Sequence, residues 1–148
     1  MKESISYNSY VLNDRNAISD VEISSSNLFS KGSGILTAFS SENIGWKIER
    51  VFFISSEIPE ERGDHAHKTC KQFFVCVSGE VKIVCKDGNS EKEFQLSGLG
   101  NNLYVPPGIW VNINMGSKTS IAVITDQTYD ESDYIRNWDD FMIYTGNK

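Results

Sequence analysis

An all-β sandwich or barrel is the architecture this chain encodes, and three features point to it. Short runs of β-branched and aromatic residues recur, punctuated by Gly, Asn, Ser and Asp. Val81, Ile83 and Cys85 alternate with Glu80, Lys82 and Lys86, the pattern of a strand with one wet face. The run "QFFVCV", from Gln72, is apolar on both faces and belongs between two layers.

Taken in order, residues 19–34, "SDVEISSSNLFSKGSG", are rich in Ser and Gly and read as a loop or a weak edge strand. Strands are expected at Ile35–Phe39, Lys47–Ile54, His65–Lys68, Gln72–Val77, Glu80–Cys85, Glu93–Leu96, Asn102–Val105, Trp110–Ile113 and Ser120–Thr125. "VSGEV" predicts a tight hairpin at Ser78-Gly79, and "CKDGNS" a second at Asp87-Gly88. Near the end the period changes. Ile135, Trp138, Phe141 and Met142 stand at helical spacing, Asn137 is a capping residue, and Asp139 and Asp140 suit a first turn. A short C-terminal helix should pack on the outside of the β-structure. Asp130, Glu131 and Asp133 lack the glycine and terminal glutamate of a calcium loop.

A length of 148 residues with neither repeat nor linker implies one domain, 1–148, able to bury a core without disulfides. The net charge of −6 and the lack of a Lys/Arg cluster argue against a nucleic-acid partner. A phosphate-bearing ligand is compatible, because one or two placed arginines suffice. The cysteines, Cys70, Cys76 and Cys85, are odd in number and lack C-x-x-C spacing. They read as free thiols of a cytoplasmic protein. The polar start "MKESISYNSYVLND" is unlike a signal peptide, and no apolar run approaches membrane-spanning length.

The only histidines are His65 and His67, in "ERGDHAHKTCKQFF". On a strand, i and i+2 share a face, so the two imidazoles project together. A metal site built on H-x-H needs further ligands. Lys71 and Gln72 stand where a Glu would follow, and Ile109, Trp110 and Val111 follow "PPG" where a last His would be. No metal is therefore expected. Two imidazoles on one face instead suit acid/base work near neutral pH. Arg62, just upstream, can grip an oxyanion or diphosphate with its fork, or form a surface ion pair with Glu60 or Glu61.

In order, "KIERVFFIS", "RGDHAHKTCKQFFVCVSGEVKIVCKDG", "LYVPPGIW" and "YDESDYIRNWDDF" resemble the WxcM-like cupins, sugar 3,4-ketoisomerases acting on dTDP-4-oxo-6-deoxyglucose. The resemblance runs from about residue 34 to residue 144. It implies a cupin (jelly-roll) β-barrel, usually a homodimer with strand exchange, working without cofactor or metal. It also implies a role in making 3-amino-3,6-dideoxy sugars for bacterial surface glycans such as O-antigen. His65 and His67 correspond to the family's histidines at the sugar end of the barrel, and Arg50 and Arg62 to its arginines. The implied chemistry moves a proton from C3 to C4 through an enediol. His67 is then the expected base, and His65 relays the oxygen-bound proton. Arg50, Arg62 and Gln72 hold enediolate or diphosphate. Trp110 either stacks on the ligand or packs in the core.

The chain departs from that pattern in three places. Phe52 and Phe53 stand where the family usually has tyrosines. Ser33 replaces the arginine of an Arg-Gly pair, and Val111 replaces an Arg or His that bears on the C4 configuration. Two alternatives follow: an epimerase on a related keto-sugar nucleotide, and a non-catalytic cupin that binds a sugar nucleotide.

Overall fold

A computed structural model describes residues 15–146. In chain order its strands are β1 (Glu22–Ser25), β2 (Phe29–Lys31), β3 (Gly34–Leu36), β4 (Arg50–Ser56), β5 (Glu60–His67), β6 (Gln72–Ser78), β7 (Glu80–Lys86), β8 (Glu91–Ser97), β9 (Asn101–Val105), β10 (Trp110–Met115), β11 (Thr119–Thr125) and β12 (Tyr134–Ile135). They form two five-stranded sheets, ordered β1-β9-β6-β11-β4 and β12-β5-β10-β7-β8, with β2-β3 a separate hairpin. The sheets face each other as a β-barrel-like sandwich of the cupin kind. No helix among the described residues is long and apolar enough to cross a membrane.

The inward positions follow the period-two pattern read from the sequence. Val81, Ile83 and Cys85 of β7 meet Phe74 and Cys76 of β6, Ile121 and Val123 of β11, and Val111, Ile113 and Met115 of β10. Phe73 and Val75, the other face of β6, join Ala122 and Ile124 on the outside of the first sheet. There Phe39, Ile44, Trp46 and Ile48 cover them, which is why "QFFVCV" is apolar on both faces.

Ser78-Gly79 is not a hairpin. β6 lies in the first sheet and β7 in the second, so this dipeptide is a corner between layers. Gly79 takes φ 77°, and a Cβ there would clash with Thr119 and lie 2.8 Å from the Lys118 carbonyl. A glycine beside a serine signals a sharp reversal, but not which sheet the next strand joins. Asp87-Gly88 does close a hairpin, with Lys86 opposite Glu91 and the Asp87 carboxylate accepting from the amides of Asn89 and Ser90 at 2.8 Å.

Other boundaries moved. The expected strand at 35–39 shrinks to β3, because Phe39 leaves the hairpin to pack edge-on against Phe73, 5.3 Å between centroids. β5 begins at Glu60, five residues before the expected start, through charged positions that carry no apolar alternation. The C-terminal helix is Trp138–Tyr144, and Asn137 accepts from the Asp140 amide at 3.1 Å. Ile135 stands outside it, paired in β12 with Ala66. Phe141, Trp110, Ala66 and Ile135 form the seam that holds the helix to the barrel.

Candidate active site

The site is organised by an irregularity in β5. Against β10, Gly63 pairs with Asn112 and His65 with Val111, which leaves Asp64 as an extra residue. Gly63 and Asp64 both take positive φ, 91° and 57°. A Cβ on Gly63 would lie 2.7 Å from the Val111 carbonyl, so the bulge requires glycine. In a regular strand, Arg62 and His65 would face opposite sides. The extra residue reverses the parity, and both line one cavity of about 260 Å³. Arg50, Phe52, Gln72, Tyr134 and Arg136 share its wall with the apolar Ile54, Phe74, Ile113 and Val123. A narrow recess shares Arg50, Phe52, Gln72 and Tyr134 and continues to His67, Cys70 and Asp133. A larger cavity of about 490 Å³ lies on the outer side of the first sheet, walled by Phe39, Trp46, Phe73 and Tyr104. It contains no imidazole and no guanidinium, so the groups suited to acid/base chemistry lie at the smaller one.

β12 contributes as much to this site as β5. It places Tyr134 opposite His67. The Tyr134 ring lies 4.2 Å from the His67 ring and 5.0 Å from that of His65, and the two imidazoles are 5.2 Å apart edge to face. Just before β12, Asp133 is buried and accepts from His67 Nδ1 at 3.0 Å, Thr69 N at 2.8 Å, Thr69 Oγ1 at 2.6 Å and Cys70 N at 3.2 Å. Burial alone would push its carboxyl up. The hydrogen bonds from Thr69 and His67 outweigh burial and hold it below the usual carboxylate range.

That ionised carboxylate fixes the proton of His67 on Nδ1 and leaves Nε2 as the basic lone pair. Nε2 is buried and has no hydrogen-bond partner. Burial lowers the pKa of His67, and Asp133 offsets only part of that drop. His65 is lowered to about 4, chiefly by burial, and its Nδ1 is also buried without a hydrogen-bond partner. Both rings are therefore neutral at pH 7, the state a base requires.

Three guanidinium groups line the same cavity. Arg50 lies over the rings of Phe52 and Tyr129, at 4.5 and 5.3 Å. Arg62 lines the cavity beside it. Among the described residues neither is ion-paired. Arg136 forks onto Glu131 at 2.6 and 3.0 Å and stacks 4.1 Å over Tyr134.

The structure thus gathers His65, Arg50, Arg62 and Gln72 in the cavity and His67 at its inner end. Trp110 stands elsewhere. It is 5% exposed, set edge to face against Trp138 at 5.2 Å, in the seam under the C-terminal helix, which is the packing role. Of the two phenylalanines in tyrosine positions, Phe52 lines the cavity, whereas Phe53 is 70% exposed on the outer face. Val111 is buried next to His65 and makes that side of the interior apolar. Asp133, Tyr134 and Arg136 join the site without being expected there from the sequence. "YDESDYIR" carried them, but a two-residue strand has no periodicity to reveal its face.

His67, Cys70 and Asp133 also bring one donor atom each within 4.8 Å of one another. Here their polar atoms are engaged with one another: both Asp133 oxygens accept hydrogen bonds, one of them from His67 Nδ1, and burial, with the charges of Asp126 and Asp133, pushes the Cys70 thiol up to about 12.

The family model described as FdtA, WxcM-like, C-terminal matches residues 19–146. A TDP-4-oxo-6-deoxy-alpha-D-glucose-3,4-oxoisomerase of Aneurinibacillus thermoaerophilus is 38% identical over 105 residues, 70% of this chain and 76% of that protein. The solved sugar 3,4-ketoisomerase QdtA of Thermoanaerobacterium thermosaccharolyticum, in complex with TDP, matches at TM-score 0.80 and 28% identity, covering 87% of this chain and 96% of its own. A 3,4-ketoisomerase of Helicobacter canadensis matches at TM-score 0.82 and 27% identity, over 86% and 98%.

Proposed function

Since the chain belongs to the FdtA, WxcM-like family, whose model spans residues 19–146, we propose that it converts a dTDP-4-oxo-6-deoxyhexose to its 3-oxo isomer. It is an isomerase of the sugar-nucleotide 3,4-ketoisomerase kind, like the relative from Aneurinibacillus thermoaerophilus and the two solved neighbours. The observation that carries the reading is the Nε2 of His67, buried and unpartnered, held by Asp133 beside a cavity rich in arginine.

The steps follow from the groups present. C3–H of a 4-keto sugar is acidified by the neighbouring carbonyl. His67 Nε2 takes that proton, and the electron pair moves to O4 as the C3=C4 bond forms. Arg50 and Arg62 stabilise the enediolate or hold the diphosphate, and the Gln72 amide is a further donor. Neutral His65 passes the hydroxyl proton from O3 to O4. The His67 imidazolium then delivers its proton to C4, and the C3=O bond forms. Each proton lost is returned, so the conversion needs no oxidant.

The product suits 3-amino-3,6-dideoxy sugars of surface glycans, and the enzyme works in the cytoplasm without nucleic-acid or membrane partners. A homodimer is supported by the outer face of the edge strand β4, where Val51 and Phe53 are 47% and 70% exposed. Light scattering at micromolar concentration should give the mass of two chains, and a pure monomer would remove that part of the reading.

Solvent deuterium exchange into dTDP-4-oxo-6-deoxyglucose, followed by NMR, tests the chemistry. The wild type should exchange C3–H and form the 3-oxo isomer. Exchange at C5 without isomerisation would instead identify an epimerase, and TDP binding without exchange a binding protein.

A further inference from the structure

Arg136 differs from the other two cavity arginines in its company. Its Nε and Nη2 point their fork at Glu131, and Tyr129 donates its hydroxyl to the same carboxylate. The pair is open to solvent, with side-chain exposures of 50% and 56%. Its geometry is the bidentate one that a guanidinium also offers a phosphate. The neighbours connect it to the rest of the site. Tyr129 lies under the Arg50 guanidinium, and the Tyr134 ring under Arg136 rests against His67.

We propose that Glu131 is a displaceable counter-anion, occupying the fork of Arg136 until the ligand's diphosphate takes its place. The proposal rests on the sugar-nucleotide reading for the identity of the anion. In the free protein Glu131 neutralises one of three guanidinium groups that would otherwise crowd a small cavity. An incoming diphosphate carries more charge than one carboxylate and offers more acceptor oxygens. An exposed ion pair is weak enough to exchange. The exchange releases Glu131 with Tyr129 toward solvent, while Arg136 stays stacked on Tyr134 and turns its fork to the ligand. Arg50, Arg62 and Arg136 then hold the diphosphate together. The device favours ligands with two linked phosphates, because a single weak anion gains little by displacing Glu131.

Calorimetric titration of inorganic pyrophosphate, TDP and thymidine into the wild type, Glu131→Gln and Arg136→Met tests it, with thermal melting to verify that each variant folds. Glu131→Gln keeps the shape and removes the charge, and should tighten pyrophosphate and TDP by about 3- to 10-fold. Arg136→Met should weaken both by about 10- to 100-fold. Thymidine affinity should not change in either. Weaker pyrophosphate binding by Glu131→Gln would make Glu131 a scaffold for Arg136 and overturn the proposal. So would an Arg136→Met affinity within about 2-fold of wild type, or no pyrophosphate binding by the wild type. Pyrophosphate binding that depends on Arg136 and tightens in Glu131→Gln, without exchange of C3–H in the sugar nucleotide, would leave this inference standing while the isomerase reading fell.

Discussion

The two ends of the cavity are built on opposite principles. At the inner end, His67 and Asp133 have side chains 7% exposed, and two backbone amides and a hydroxyl lock the carboxylate. At the mouth, Arg136 and Glu131 are 50% and 56% exposed, held by each other and by Tyr129. If His67 is the base, as proposed, this burial holds it to one tautomer and one direction through every turnover. If Arg136 is the proposed ligand grip, its partner sits in water, where the pair costs little to separate. Asp133 of the first pair and both members of the second come from the same eight residues, 129–136, which dock on β5 through β12.

The largest break is at the inner end. His67→Asn keeps polarity and similar size but removes the base, so turnover should fall by about 10²–10⁴ while TDP affinity stays near wild type. C3–H exchange should fall in parallel. Equal exchange in wild type and variant would place the base elsewhere.

Asp133→Asn is the next step down. The imidazole remains, but its orienting charge is lost, and kcat should drop by about 10- to 100-fold with KM little changed. The pH profile separates positioning from simple damage. With His67 as the proposed base, activity requires its neutral form and should rise as pH passes upward through the folded pKa, which lies below 6.5. Asp133 raises that pKa, so its removal moves the acid limb to lower pH. A limb that stays in place would mean that Asp133 does not tune His67. Stability follows the same sign. His65 and His67 both have folded pKa values below their unfolded 6.5, His65 at about 4. The unfolded chain therefore binds more protons as pH falls below 6.5, and stability should decline from there toward pH 4. His65→Gln should flatten part of that decline in urea titrations.

How much of this was visible beforehand differs between the two ends. The barrel was legible because Val81, Ile83 and Cys85, or the doubly apolar Phe73 and Phe74, state their burial through period. The histidine pair was legible because H-x-H at a strand fixes one face. Arg62 was identified as a ligand-gripping residue, yet its parity with His65 depends on Asp64 being an extra residue. Nothing in "RGDHAH" distinguishes a bulge from a turn until β10 lies alongside. Asp133 and Arg136 were illegible for another reason: their roles are tertiary, fixed by the docking of β12 on β5. Trp110 shows the converse. A tryptophan near a site suggests stacking, but the side it faces is set by the register of β10 with β5 and β7.

The bulge sets the direction of Arg62, so breaking it should weaken ligand binding, a smaller effect than losing the base. Gly63→Ala puts a Cβ 2.7 Å from the Val111 carbonyl at φ 91°. A destabilisation of about 1–3 kcal/mol is expected in denaturant titration. If the variant folds with the bulge relaxed, Arg62 turns outward and TDP affinity falls, while His67 keeps its bond to Asp133. Wild-type stability in Gly63→Ala would mean that β5 tolerates a side chain at that position.

The smallest expected effect is the response to salt, and it separates the ends without altering the chain greatly. Screening acts on charges in contact with water, with a Debye length of about 10 Å at 0.1 M. The mouth arginines meet that condition, and the buried His67–Asp133 pair does not. Raising ionic strength from about 0.05 to 0.3 M should increase KM for the sugar nucleotide by about 2- to 5-fold and leave kcat nearly constant. Arg62→Ala should raise KM at low salt and make it less sensitive to added salt, because one screened contact is gone. A kcat that falls with salt as steeply as KM rises would contradict the division. It would mean that the arginines act on the enediolate in the chemical step, rather than on the diphosphate before it.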